Sequence, residues 1–146
     1  MSKYQILSNF EDNLIMVENK LKKTGLTNNI ELNKLGKKLL GDKFLNVYMA
    51  NKLPRMKNNE YCIINNKSSK SHGEHWLALV KYGNKKYIWD SFARNYKTLS
   101  PYFKNKNWIN ASVKPFEAND GKDCGQLSLS FILSFEKFKL QLLNVI

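Results

Sequence analysis

Residues 75–92, HWLALVKYGNKKYIWDSF, decide how this chain folds. From His75 to Tyr82 the run is aromatic and branched, with the character of a strand. Gly83-Asn84 is a turn pair, and Lys86 to Asp90 returns with the same apolar character. The stretch 75–90 therefore predicts a β-hairpin. Pairing around Gly83-Asn84 brings Asp90 back to the level of His75.

Working outward, the period changes on both sides of the hairpin. Upstream, Tyr61-Cys62-Ile63-Ile64 reads as a short buried strand, and 65–73 (NNKSSKSHG) as a polar loop. Phe44 to Tyr48 is a short apolar piece ending before Pro54. In 28–41 the Asn pair, then Ile30, Leu32, Leu35, Leu39 and Leu40, then Gly41, predict a capped helix. In 4–23, Leu7, Phe10, Leu14, Val17 and Leu21 recur at helical steps, predicting an amphipathic helix stopped near Gly25. Downstream, 100–108 predicts a short helix opened by Ser100 and Pro101, and 109–116 a strand. Residues 119–123 read as a loop, and Cys124 to about Lys139 as a helix buried on most sides. Helices, then strands, then a buried helix argue for an α+β architecture.

The chain has 146 residues, which allows one core and not two, so 1–146 is expected to be a single domain. Hydrophobic residues make up 42% and aromatics 12%, enough to exclude a chain disordered throughout. No apolar run approaches the ~18 residues of a membrane span, and the start has no secretory pattern, so a non-secreted protein is expected. Lysine and arginine number 24 against 12 acids, a net charge of +12. Such an excess favours polyanions, and any nucleic-acid contact would be sequence-independent. The lysines are spread along the chain, and AT-rich coding explains part of the bias. Two cysteines, Cys62 and Cys124, do not make a disulfide scaffold, and a reducing compartment fits. With only His72 and His75 for company they do not support a zinc site, so no metal is expected.

The chemistry concentrates on three positions. Cys124 lies where a loop enters a buried helix, and a helix N-terminus stabilises a thiolate. Gly125 beside it removes a side chain, so a substrate can approach. His75 opens the hairpin, and histidine is the usual base for a thiol nucleophile. Asp90 closes the hairpin, where an acid can hold the imidazole in one tautomer. Singly, each has a plain structural explanation: a small buried side chain, a strand histidine, a turn aspartate. Together they supply a nucleophile, a base and an orienting acid. His72, in the polar loop, reads as solvated.

At this point the sequence resembles the adenain-like cysteine proteases, the adenovirus-type maturation enzymes in the clan of the SUMO-specific proteases. The resemblance rests on HW at 75–76, WDSF at 89–92 and DCG at 123–125. It extends through LNKLGKKLLGDKFLNVYMANKLP at 32–54, similar to the family's segment in which a short helix leads to the cleft, and EYCIINNKSSKSHGEHWLALVKYGNKKYIWDSF at 60–92. It covers roughly 28–138, with 1–27 as an added N-terminal helix that packs on the core or meets a partner. It implies a papain-like fold, with a central mixed sheet packed on the helix that carries the nucleophile. It implies His75 as general base, Asp90 as its orienting acid, Cys124 as nucleophile and Trp76 as a wall of a narrow cleft. The Cys124 N–H would supply part of the oxyanion hole. The family places a Gln shortly before the Cys, where this chain has Glu117 and Ala118. Ionised Glu117 would repel an oxyanion, whereas protonated Glu117 could donate; Asn119 and Gly125 are the other candidates.

The activity implied is cleavage of viral structural precursors at sites near Gly during capsid maturation, by a monomer in the virion and infected cell. No cofactor is required by this reading, although the adenovirus enzyme is stimulated by DNA and by a disulfide-tethered peptide. Cys62, in a predicted buried strand, does not suit such a tether, whereas the charge leaves DNA open. Two other readings stand beside this one. One is a deubiquitinase- or deSUMOylase-like protease of the same clan. The other is an inert, basic nucleic-acid-binding module with a structural Cys124.

Overall fold

The computed structural model describes residues 1–22, 27–68, 75–116 and 122–146. The first helix, α1, spans Lys3–Leu21 and opens on a capping box. In it the Ser2 hydroxyl accepts from Gln5 N–H, and the Gln5 side chain accepts from Ser2 N–H. Ile6, Phe10 and Val17 form its buried stripe. It closes at Lys22, which takes a left-handed conformation (φ 58°), ahead of the expected stop at Gly25, outside the described residues. The second helix, α2 (Asn29–Leu40), opens on the same device, with Asn28 and Glu31 reciprocally bonded, and ends at Gly41 with φ 63°.

Five strands follow: β1 Phe44–Tyr48, β2 Glu60–Asn65, β3 Trp76–Tyr82, β4 Lys85–Trp89 and β5 Ile109–Asn110. They form one mixed sheet in the order β1-β2-β3-β4-β5, parallel at both outer pairs and antiparallel at the two inner ones. The hairpin is as expected, with Gly83 and Asn84 both at positive φ, the geometry of a tight two-residue turn. The apolar piece at 44–48 is a full strand of this sheet, lying parallel to β2.

The last long helix, α3, spans Cys124–Phe138 and is buried at twelve of its positions. It packs with α1 and α2 on one face of the sheet. There Trp89 stacks on Phe131 at 5.1 Å between ring centroids, and Asn13 Nδ2–H donates to Ser134 Oγ at 2.9 Å. The other face carries Cys62, Ile64, Leu77, Leu79 and Ile88 under Tyr96, Phe103 and Trp108. The architecture is thus α+β, with helices on a five-stranded mixed sheet.

Two expectations are corrected downstream of the hairpin. The helix over 100–108 is a single 3₁₀ turn at Pro101–Phe103, capped by Ser100, with a second such turn at Tyr96–Thr98. The strand over 109–116 stops at Asn110. Beyond it the backbone turns to other partners: Val113 N–H donates to Ile146 O at 2.9 Å and Phe116 N–H to Ser91 O at 2.7 Å.

Gly36 fixes how closely α2 approaches β1. A Cβ there would lie 2.6 Å from the ring of Phe44, which is 1% exposed. Alanine gains about 1 kcal/mol of helix propensity, but overpacking costs about 1–3 kcal/mol. Gly36→Ala is therefore expected to lower the urea midpoint by roughly 1 kcal/mol of stability at unchanged slope.

Candidate active site

The hairpin register runs from Tyr82↔Lys85 at the turn to Ala78↔Trp89 at the far end. Carried on, it sets Asp90 opposite Leu77, and His75 one diagonal step away on the same face. His75 lies just before β3 and Asp90 just after β4, so neither is tied into the ladder between these strands. Their side chains meet, His75 Nε2 to Asp90 Oδ1 at 2.5 Å, with both residues at most 5% exposed.

Asp90 is held from every side. Phe92 N–H donates to Oδ1 at 3.1 Å, and Arg94 donates to Oδ2 through its backbone N–H at 3.1 Å and its Nε–H at 2.9 Å. The backbone supports this grip. Ala93 N–H closes a turn onto Asp90 O at 2.8 Å, with Ala93 at φ 55°. Ser112 clamps the strand end, its hydroxyl oxygen accepting from Asp90 N–H at 2.7 Å and its O–H donating to Asp90 O at 3.0 Å. Burial alone would raise the carboxyl pKa. The hydrogen bonds from His75 and Arg94, the His75 charge and the Phe92 N–H outweigh it and lower the pKa to about 2. The carboxyl is therefore ionised well below neutral pH. Phe92 also lays its ring against the imidazole, 5.2 Å between centroids, under the Arg94 guanidinium at 4.8 Å.

Cys124 comes from the other face of the sheet, as the first residue of α3. The first bond of the helix, Leu127 N–H to Asp123 O at 2.9 Å, leaves the preceding N–H groups outside its ladder. Trp76 N–H donates to the Cys124 sulfur at 3.4 Å, which seats the thiol against the residue that follows His75. Ser128 O–H donates to Trp76 O at 3.2 Å, so α3 grips this strand residue at both backbone groups. The Trp76 indole is tethered too, its Nε1–H donating to Thr27 O at 3.3 Å.

His75, Asp90, Cys124, Trp76 and Gly125 thus gather at one end of β3. Gly125 requires a correction. A Cβ there would lie 2.4 Å from Thr27 Cγ2, 3.1 Å from Leu32 Cδ1 and 3.2 Å from Trp76 Cδ1. The missing side chain makes room for the chain's own packing rather than for a substrate. Glu117, Asn119 and His72 lie outside the described residues. Cys62 is fully buried in the second core, and burial pushes its thiol pKa well up.

Sequence reasoning missed Arg94, Ser112, Phe92 and Thr27. Arg94 carried a signal, a cation four residues after the acid. Ser112 and Thr27 carried none, because their contacts depend on how distant segments fold back. Among the described residues no group of three or more His, Cys, Asp or Glu side chains could hold a metal ion, and no helix is long and apolar enough to cross a membrane. No protein-family model matches the chain, and no curated protein matches it at a significant level.

Proposed function

We propose that this chain is a cysteine endopeptidase of the adenain type, with a papain-like arrangement of sheet and nucleophile helix. One observation carries the reading: a hydrogen-bonded histidine and aspartate, and a helix-start cysteine, converge from three elements on one end of β3. Asp90 engages Nε2, which assigns Nδ1 to the thiol proton. Cys124 sulfur attacks the scissile carbonyl carbon while Nδ1 holds the proton, and the carbonyl π electrons move to oxygen. The Cys124 N–H, at the start of α3, stabilises this oxyanion, with Glu117 or Asn119 as the second donor the sequence offers. The carbonyl re-forms, the C–N bond breaks, and His75 gives its proton to the leaving amine. Water, deprotonated by His75, then attacks the thioester and releases the acid and the thiol.

Trp76, pinned beside the base, suits a cleft that admits glycine and other small residues. On the resemblance set out above, the substrates are viral structural precursors, met by a monomer in the virion and infected cell. The test is cleavage of a proteome-derived peptide library, read by mass spectrometry. New termini beside small residues are expected with the wild type and none with Cys124→Ala. Equal cleavage by the Cys124→Ala protein, or no cleavage by either, overturns the assignment.

A further inference from the structure

The hairpin's turn end, away from His75 and Asp90, forms one wall of a groove of about 400 Å³. The other wall is the segment that leads into β5. Lys81, Lys85, Lys86 and Lys106 line it, with the amides of Asn105 and Asn107, and no acidic residue does. Lys81 and Lys86 sit directly opposite each other across β3 and β4, a pairing that like charges disfavour. Lys81 is not free to swing away, because its Nζ donates to Met56 O at 2.9 Å. Among the described residues none of the four lysines makes an ion pair. Glu60, which pairs with Lys81 across β2 and β3, does not line the groove, and its Oε1 accepts from Lys57 N–H at 2.6 Å. Burial, then the charges of Lys81 and Lys106, depress the Lys86 pKa. Folding therefore gathers cations in a concave, amide-rimmed space whose lining holds no acid.

We infer that this groove binds clustered phosphate groups. Several ammonium groups converge on a space larger than one small anion fills, and an anion of several charges relieves more of their repulsion than a single carboxylate. Two sources share this chemistry, a free polyphosphate and the phosphodiester chain of a nucleic acid. The groove lies apart from Cys124, so the inference stands independently of the protease reading.

The test uses the full chain with two probes: tripolyphosphate, and a fluorescent single-stranded oligonucleotide read by anisotropy across a salt series. The triple variant Lys81→Gln/Lys86→Gln/Lys106→Gln is compared with Lys20→Gln/Lys34→Gln/Lys38→Gln. The second set removes the same charge from a groove between α1 and α2. The first set is expected to weaken binding at least tenfold and to flatten the salt slope by about 2, as three lost contacts to single-stranded phosphates require. The second set is expected to weaken it less than twofold. Tripolyphosphate should raise the thermal midpoint of the wild type but not of the first set, a readout that does not depend on the oligonucleotide. Binding of tripolyphosphate alone identifies a free polyphosphate as the source, and binding of the oligonucleotide alone a nucleic acid. Equal losses in the two sets, or no binding of either probe by the wild type, overturn the inference.

Discussion

Iodoacetamide is expected to alkylate Cys124 at least 100-fold faster than Cys62 at neutral pH, with His75 responsible for the Cys124 rate that persists below the pKa of an ordinary thiol. The reactive species is the thiolate, and an ordinary thiol with a pKa of about 8.5 holds only a few per cent of it at pH 7. Cys62 falls far below that figure, since it is fully buried in an apolar cluster that raises its pKa and keeps reagent out. Cys124 stands at the positive end of α3 and accepts a hydrogen bond from Trp76 N–H. His75, the residue before Trp76, is in turn anchored on an ionised Asp90. Support of the thiolate by His75 should make the rate fall less steeply below pH 8 than titration of an ordinary thiol requires. In His75→Ala that support is gone. The rate should then drop about tenfold for each pH unit below the thiol pKa, as simple titration requires. Mass spectrometry reads both cysteines in one sample, with Cys62 as the internal control. A Cys124 no faster than Cys62, or a pH profile untouched by His75→Ala, would falsify the catalytic pair.

The hairpin was legible in the sequence because its signals are local. A Gly-Asn turn and two runs of aromatic and branched residues fix the register, and the register alone brings Asp90 within one diagonal step of His75. The helices were legible for the same reason, their caps and apolar stripes lying within a few residues of each other. The 3₁₀ turns and the short β5 were not, because long-range bonds decide them. Residues 111–116 have strand-like composition, yet Ser112 is drawn to the Asp90 backbone and Val113 to the chain's last residue. Gly125 shows the same limit at the site. A glycine beside a candidate nucleophile reads as access, whereas the folded chain fills that space with Thr27 and Trp76. The order His, Asp, Cys could be read from the sequence, but the turn that holds the acid could not, since Arg94, Phe92 and Ser112 act through three-dimensional closure.

That turn makes Asp90 the site of the second large effect, and two substitutions separate its roles. Asp90→Asn keeps the shape and removes the charge. Its amide oxygen is best placed toward the two Arg94 donors, which leaves the NH₂ facing His75 Nε2 and the Phe92 N–H. Nε2 must then accept, so the imidazole proton moves to Nδ1, the nitrogen that has to take the thiol proton. The expected result is a loss of roughly 10³–10⁴ in turnover with the fold retained, the magnitude such a tautomer error carries in a triad. Asp90→Ala is expected to be worse for the fold. It strands the Phe92 and Arg94 N–H groups and a guanidinium beside a buried imidazole, at about 3–5 kcal/mol. Acid stability supplies an independent readout. A carboxyl at 3.8 in the unfolded chain and about 2 in the folded one contributes about 2 kcal/mol, present in full above pH 4. That contribution disappears as pH falls from 4 toward 2. The wild type should therefore lose this much over that window, whereas Asp90→Asn, with nothing to protonate there, should lose correspondingly less. If Asp90→Asn keeps turnover within tenfold of wild type while removing the acid limb, Asp90 braces the turn and does not orient the base. If turnover collapses while Asp90→Asn stays folded at pH 7, losing no more than the carboxylate's own about 2 kcal/mol in its urea midpoint, the carboxylate acts through the imidazole it contacts at 2.5 Å.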